Sequence, residues 1–147
     1  MAIIQISGLS KHYGEGKMRN DVLEDVFLDV EEGEFIAILG FSGSGKTTLI
    51  SALAGLIEPD KGGVIYKGKE IKGPGPERGV VFQNYSLMPW LTVRENVDLA
   101  VDVVFKKKNR KERRDIVKKY IDMVGLSHAI DRKPSELSGG MRQRVAV

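Results

Sequence analysis

The run EFIAILGFSGSGKTTLISALAGL, residues 34–56, decides the fold. Its first part, Glu34 to Gly40, is a continuous apolar run closed by glycine, the pattern of a strand buried on both faces of a parallel sheet. Its last part, KTTLISALAGL, joins helix formers to helical apolar spacing, and Gly55 is placed to stop the helix or to allow close packing. Between them GFSGSGKT (Gly40 to Thr47) satisfies G-x-x-x-x-G-K-[ST] where the pattern has meaning, after a strand and before a helix. Gly40, Gly43 and Gly45 permit backbone conformations closed to residues with a Cβ, so successive N–H groups of a loop that also holds Phe41, Ser42 and Ser44 can turn toward one anion. The helix start adds its positive dipole end and its unpaired N–H groups. Lys46 can reach β- and γ-phosphate oxygens as a compact charge, the Thr47 hydroxyl can ligate Mg²⁺, and Thr48 can donate to an α-phosphate oxygen. Nucleotide binding is the expectation.

Composition narrows the setting. The 147 residues, 41% hydrophobic and 29% charged, suit one soluble globular unit. There is no cysteine, which excludes disulfides and thiolate metal sites. The N-terminus MAIIQISGLSKHYGEG has no basic stretch leading into a long apolar one. No apolar run approaches the roughly 20 residues of a membrane span. The net charge of +3 is uneven: KKKNRKERR (Lys106 to Arg114) carries seven basic residues against one acidic, a local +6 that leaves the remainder at −3. Basicity is local, so a nucleic-acid partner is not expected. The segment reads as a solvated connection between helices, or as a surface attracted to anionic lipid headgroups or an acidic partner face.

Elsewhere AIIQISGL and EDVFLDVEEG alternate apolar and polar residues at period 2, which predicts half-buried antiparallel strands, and GVIYKGKEI repeats the pattern around a tight turn at Lys67-Gly68-Lys69. RGVVFQ (Arg78 to Gln83) reads as a second short buried strand. Beyond NYSLMPW the chain turns helical. TVRENVDLAVDVVF begins with Thr92 as N-cap and Glu95 three residues on, a capping box. RKERRDIVKKYIDMVGL places Ile116, Tyr120, Met123 and Val124 on one face, with Gly125 as its stop. A mixed α/β part, residues 1–87, thus precedes a helical part, residues 88–147.

The phosphate loop alone does not name a reaction. Three further features narrow it: Tyr13 in KHYG, Gln83 closing VVFQ, and Leu137 to Gly140, LSGG before a helix. With these in order the sequence resembles the ATP-binding subunits of ABC transporters. GPGPERGVVFQNYSLMPWLTVRENV looks closest to the nitrate, nitrite, cyanate and bicarbonate importer subgroup, with sulfonate and taurine importers next. The resemblance implies an α/β fold of the P-loop NTPase type, with an antiparallel β subdomain and a helical subdomain. It implies ATP and Mg²⁺ as ligands, Tyr13 stacked on adenine, and Gln83 reaching Mg²⁺ or the attacking water. Lys46 and Gln83 are then the catalytic residues this chain supplies, and Thr47 and Gln83 its metal contacts.

The same resemblance implies a head-to-tail dimer of two ATP-binding subunits, in which Ser138, Gly139 and Gly140 act on the partner's nucleotide. Read alone, Ser138 is equally an N-cap and the glycines a turn. Met141 departs from the family's commoner glutamine, and a thioether donates no hydrogen bond. Leu87, Met88, Trp90 and Leu91 form an apolar cluster that either packs the helical part or docks a short helix of a membrane-spanning permease. A solute-binding protein would join indirectly, and the assembly would sit peripherally on the cytoplasmic face of the cell membrane. The family's apolar strand ending in Asp, the Glu after it and a later switch histidine have no counterpart in residues 1–147, and His128 comes too early. The chain is therefore expected to be an N-terminal fragment with little or no turnover and an open sheet edge. The alternative is a noncatalytic nucleotide-binding or interaction module that pairs with a complete subunit.

Overall fold

The period-2 alternation at the N-terminus produces two long antiparallel strands, β1 (Ala2–Tyr13) and β2 (Asn20–Glu31). The structure is a computed structural model that describes residues 2–147. In the register Ile6 faces Leu28, Leu9 faces Val26 and Tyr13 faces Asn20. On its other edge β1 pairs with β3 (Lys61–Tyr66), which turns back through Lys67-Gly68 into β4 (Lys69–Glu70). Both turn residues have positive φ, 48° and 75°, the twist that suits a two-residue hairpin. The strand order is β2-β1-β3-β4. Helix α1 (Lys46–Ala54) stops at Gly55 in the left-handed conformation, and Ala52 joins Ile6, Leu9, Leu23 and Val64 in the buried core. These elements belong to one compact unit, Met1–Gly79; Val80–Val147 forms a second.

The two expected buried parallel strands are not formed. Glu34 to Gly40 makes no ladder, and Phe35 and Leu39 are each 91% exposed. Arg78 to Gln83 is likewise unpaired, with Val81 and Phe82 exposed. A parallel strand takes its hydrogen bonds from neighbouring strands and its burial from the layers covering both faces. Among the described residues the one sheet is antiparallel and offers neither run a partner. The apolar composition of these runs states what they require, not what they obtain.

The second unit is helical: α2 (Val93–Val104), α3 (Arg110–Met123) and α4 (Gly139–Ala146), with short 3₁₀ turns before α4. The capping box at Thr92 and Glu95 is present, and a second joins Asn109 to Glu112. The amides of Val93 and Arg94 donate to the carbonyls of Arg132 and Ile130 at 2.9 and 3.0 Å, tying the start of α2 to the chain before α4. The core holds Val93, Val101, Val117, Ile121, Leu126, Ala129 and Leu137. The expected α3 face is corrected here: Val117 and Ile121 carry the burial, with Ile116 and Val124 at its margins, while Tyr120 and Met123 are 45% and 66% exposed. The inward stripe is set by the packing of α3 on α2, and it falls one residue round from the arc that hydropathy picks out. No helix among the described residues is long and apolar enough to cross a membrane.

Candidate functional site

The phosphate loop is built around two glycines with different constraints. Gly45 is the N-cap of α1 with φ +85°, and a Cβ there would lie 2.7 Å from the Val22 carbonyl oxygen and 2.9 Å from Leu23 Cδ2. The loop is thus pressed against β2 at the point where the helix begins. Gly43 has φ +79° with no atom within 4 Å of where a Cβ would stand, so its exposed side is open space. The Ser44 amide donates to the Phe41 carbonyl at 3.2 Å and closes the turn. The Leu49 amide reaches the Gly45 carbonyl at 2.9 Å, but those of Lys46, Thr47 and Thr48 find no backbone acceptor among the described residues. Open space beside Gly43 therefore adjoins a helix start with free donors.

Lys46 lies folded back onto the loop. Its Nζ donates to the carbonyls of Gly40 and Phe41 at 2.9 and 2.6 Å and to Ser44 Oγ at 3.2 Å. Neutral acceptors hold an ammonium less strongly than anionic oxygens do, so an arriving phosphate competes well for it. The Thr47 side chain is exposed beside it, and Ser42 is exposed on the loop. The loop thus brings exposed Ser42 and Thr47 hydroxyls and the Lys46 ammonium to the start of α1.

Tyr13 closes β1 at 46% exposure and faces Asn20. Because Gly45 packs on Val22 and Leu23, two and three residues further along β2, Tyr13 and the phosphate loop share one end of the sheet. That end is braced by a residue the sequence reading passed over. Asp60 accepts from the His12 amide at 2.7 Å and from Lys11 Nζ at 3.0 Å, and its other near contact is His12 Nδ1 at 2.9 Å. These bonds, the His12 amide foremost, hold the Asp60 carboxyl below the usual carboxylate range. An aspartate next to proline, 48 residues from its partner, carries no local sign of this role.

The remaining candidates lie in the second unit. Gln83 is exposed in a turn rather than at a strand end, and Tyr85 and Ser86 just after it adopt left-handed φ of 59° and 51°. Ser138 is the N-cap of α4, its Oγ accepting from the Met141 amide at 3.3 Å. An accepting hydroxyl keeps its own proton to donate, so the cap leaves that capacity open. Gly139 and Gly140 form the first turn of α4. Met141 packs its side chain on the helical core, which accounts for an apolar residue there.

Tyr85 and Arg142 were also missed from sequence. The Tyr85 hydroxyl stands 3.6 Å from where a Cβ on Gly139 would be, and the Arg142 guanidinium lies 5.6 Å from the Tyr85 ring. Arg142 also donates to the Leu137 carbonyl at 2.9 Å. The turn after Gln83 and the start of α4 are therefore in contact.

Of the apolar cluster, Leu87 and Leu91 are half-buried, while Met88 and Trp90 are 37% and 65% exposed. Asn96 holds them in place. Its Oδ1 accepts from the Met88 amide at 2.8 Å, and its Nδ2 donates to the carbonyls of Thr92, Leu91 and Met88 at 2.9 to 3.2 Å.

Comparison with known proteins shows the family. The ABC transporter family profile matches residues 23–147. The nitrate import ATP-binding protein NrtC of Synechococcus elongatus is 55% identical over 125 residues, covering 85% of this chain and 19% of its own. The bicarbonate transport ATP-binding protein CmpD of Synechocystis sp. is 49% identical over 146 residues, 99% of this chain and 52% of its own. Among solved structures, the dimeric ATP-binding cassette MJ0796 bound to ADP and Pi superposes with a TM-score of 0.81 at 33% identity, covering 97% of this chain and 66% of that one. The chain spans about half the length of CmpD and about a fifth of NrtC.

Proposed function

The chain belongs to the ABC transporter family of ATP-binding proteins, and from that premise we propose that it is the nucleotide-binding part of an importer subunit that couples ATP hydrolysis to uptake of a small anion of the nitrate or bicarbonate kind. The observation that carries this reading is the loop at Gly43 to Lys46, where open space beside Gly43, free helix N–H groups and a lysine held only by neutral oxygens converge. Gly40 to Thr48 would hold the phosphates, with Thr47 meeting Mg²⁺, and Tyr13 would stack on the base. Bound Mg²⁺ would neutralise charge between the β- and γ-phosphates.

Ser138 to Gly140 would serve the nucleotide of a second ATP-binding subunit arranged head to tail. Met88 and Trp90, on a turn that Asn96 holds at Met88 and Leu91, would offer the apolar floor on which a permease segment docks, and the assembly would then lie on the cytoplasmic membrane face. A solute-binding protein would enter only through the permease. The relatives' names support the solute class, and no residue here touches the transported ion.

The test is titration of the purified chain with a fluorescent ATP analogue and Mg²⁺. Binding that Lys46→Ala weakens at least about tenfold is expected, since a charged hydrogen-bond partner would be lost. Equal binding by the variant would overturn the reading. In residues 1–147 no Asp is followed at once by Glu, so this chain alone is expected to bind without appreciable turnover.

A further inference from the structure

The connection between α2 and α3 concentrates charge in an ordered place. α2 ends on Val103 and Val104, 64% and 49% exposed. Lys106, Lys107, Lys108, Arg110 and Lys111 follow before the next acidic residue, Glu112. The connection is short and internally bonded: the Phe105 amide donates to Val101 O at 2.8 Å and the Lys108 amide to Phe105 O at 2.9 Å. Asn109 then caps α3.

The two acidic groups nearest it in sequence, Asp102 and Glu112, are already engaged. Asp102 accepts from Arg113 at 2.8 Å, and Glu112 accepts from the Asn109 amide and Lys108 Nζ at 2.9 and 3.2 Å. Lys106, Lys107, Arg110 and Lys111 are exposed and form no ion pair among the described residues.

Cations alone would suit any polyanion, and the two valines decide between them. Exposed aliphatic side chains beside unpaired cations match a surface that offers anionic headgroups with hydrocarbon just beneath. A nucleic acid offers no hydrocarbon layer, and over residues 99–119 the sole aromatic, Phe105, is partly buried in the core and cannot stack on a base. We propose that the α2–α3 connection is a peripheral contact for an anionic lipid surface, its cations meeting headgroups while Val103 and Val104 reach the acyl boundary. The proposal concerns the second unit alone and does not depend on nucleotide binding.

The test is flotation of the full chain with phosphatidylcholine vesicles containing none or about 30% phosphatidylserine, since anionic lipid supplies the attraction. Flotation separates lipid-bound protein from aggregates, which sink. The chain floats with the anionic vesicles only, and the bound fraction falls severalfold between about 50 and about 200 mM salt as screening grows. The variant Lys106→Gln/Lys107→Gln/Arg110→Gln/Lys111→Gln loses on the order of several hundredfold in apparent affinity, at about fivefold of attraction per cation. Val103→Ser/Val104→Ser loses a few-fold and keeps the salt dependence. Lipid selectivity and salt dependence are read on the unaltered chain, so they stand even if a variant folds poorly. Equal flotation with neutral vesicles, unchanged binding by the glutamine variant, or tighter binding of single-stranded RNA or polyglutamate at the same salt would overturn the proposal.

Discussion

At the residue scale, Gly45 and Gly43 look alike in sequence and differ in what they tolerate. Gly45→Ala forces a left-handed alanine against the Val22 carbonyl at 2.7 Å, and a loss of about 1–3 kcal/mol in urea unfolding is expected. Gly43→Ala meets only the backbone preference, about 1 kcal/mol, but its methyl enters the open space beside the loop, so nucleotide affinity should fall more than stability. Identical losses at both positions would contradict this division. The requirement for glycine was legible in the loop pattern; the contact with β2 was not, because it joins segments that only folding brings together. Asp60 makes the same point. Its folded pKa is depressed, so its contribution to stability is fully present above the ordinary aspartate value and is lost as pH falls through the lower folded value. The His12 amide resonance should therefore shift only in strongly acid solution, and Asp60→Asn should abolish that step. A midpoint at or above the ordinary aspartate value would contradict the assignment.

At the scale of elements, helix boundaries were the most legible part. Thr92 with Glu95 is a local signal that works through groups three residues apart, and the structure forms both of its hydrogen bonds, at 3.3 and 2.7 Å. Thr92→Ala should cost about 1 kcal/mol. Ser138 separates two roles on one atom. Ser138→Asp keeps an acceptor for the Met141 amide, so the helix should stay as stable as with serine, whereas Ser138→Ala should lose about 1 kcal/mol. If Ser138 also donates to a partner's phosphate, Ser138→Asp should nonetheless abolish ATP-dependent pairing with a complete subunit, read by light scattering. Retained pairing would leave Ser138 a cap alone. The face of α3 was not legible, since Ile116, Tyr120, Met123 and Val124 have the hydropathy of a core stripe, yet Val117 and Ile121 occupy the contact with α2.

At the scale of the whole molecule, Phe35, Leu39 and Phe41 are about nine-tenths exposed on a segment without strand partners. Unpaired backbone beside large apolar side chains invites association between chains. The purified chain should associate with rising concentration, and Phe35→Lys/Leu39→Lys should reduce this in sedimentation velocity; a monomer with a sharp, reversible transition would count against it. The amino-acid sequence by itself determined the antiparallel strands, the helix caps and the phosphate-loop pattern, because each rests on residue type at short spacing, and the family, because its short motifs occur in order along the chain. Tertiary structure alone decided which apolar residues are buried, that Asp60 braces the strand end bearing Tyr13, and that Tyr85 meets the start of α4. The physical reason is that burial and long-range hydrogen bonds belong to pairs of segments, and a run such as Glu34 to Gly40 becomes a strand only where another strand supplies its bonds.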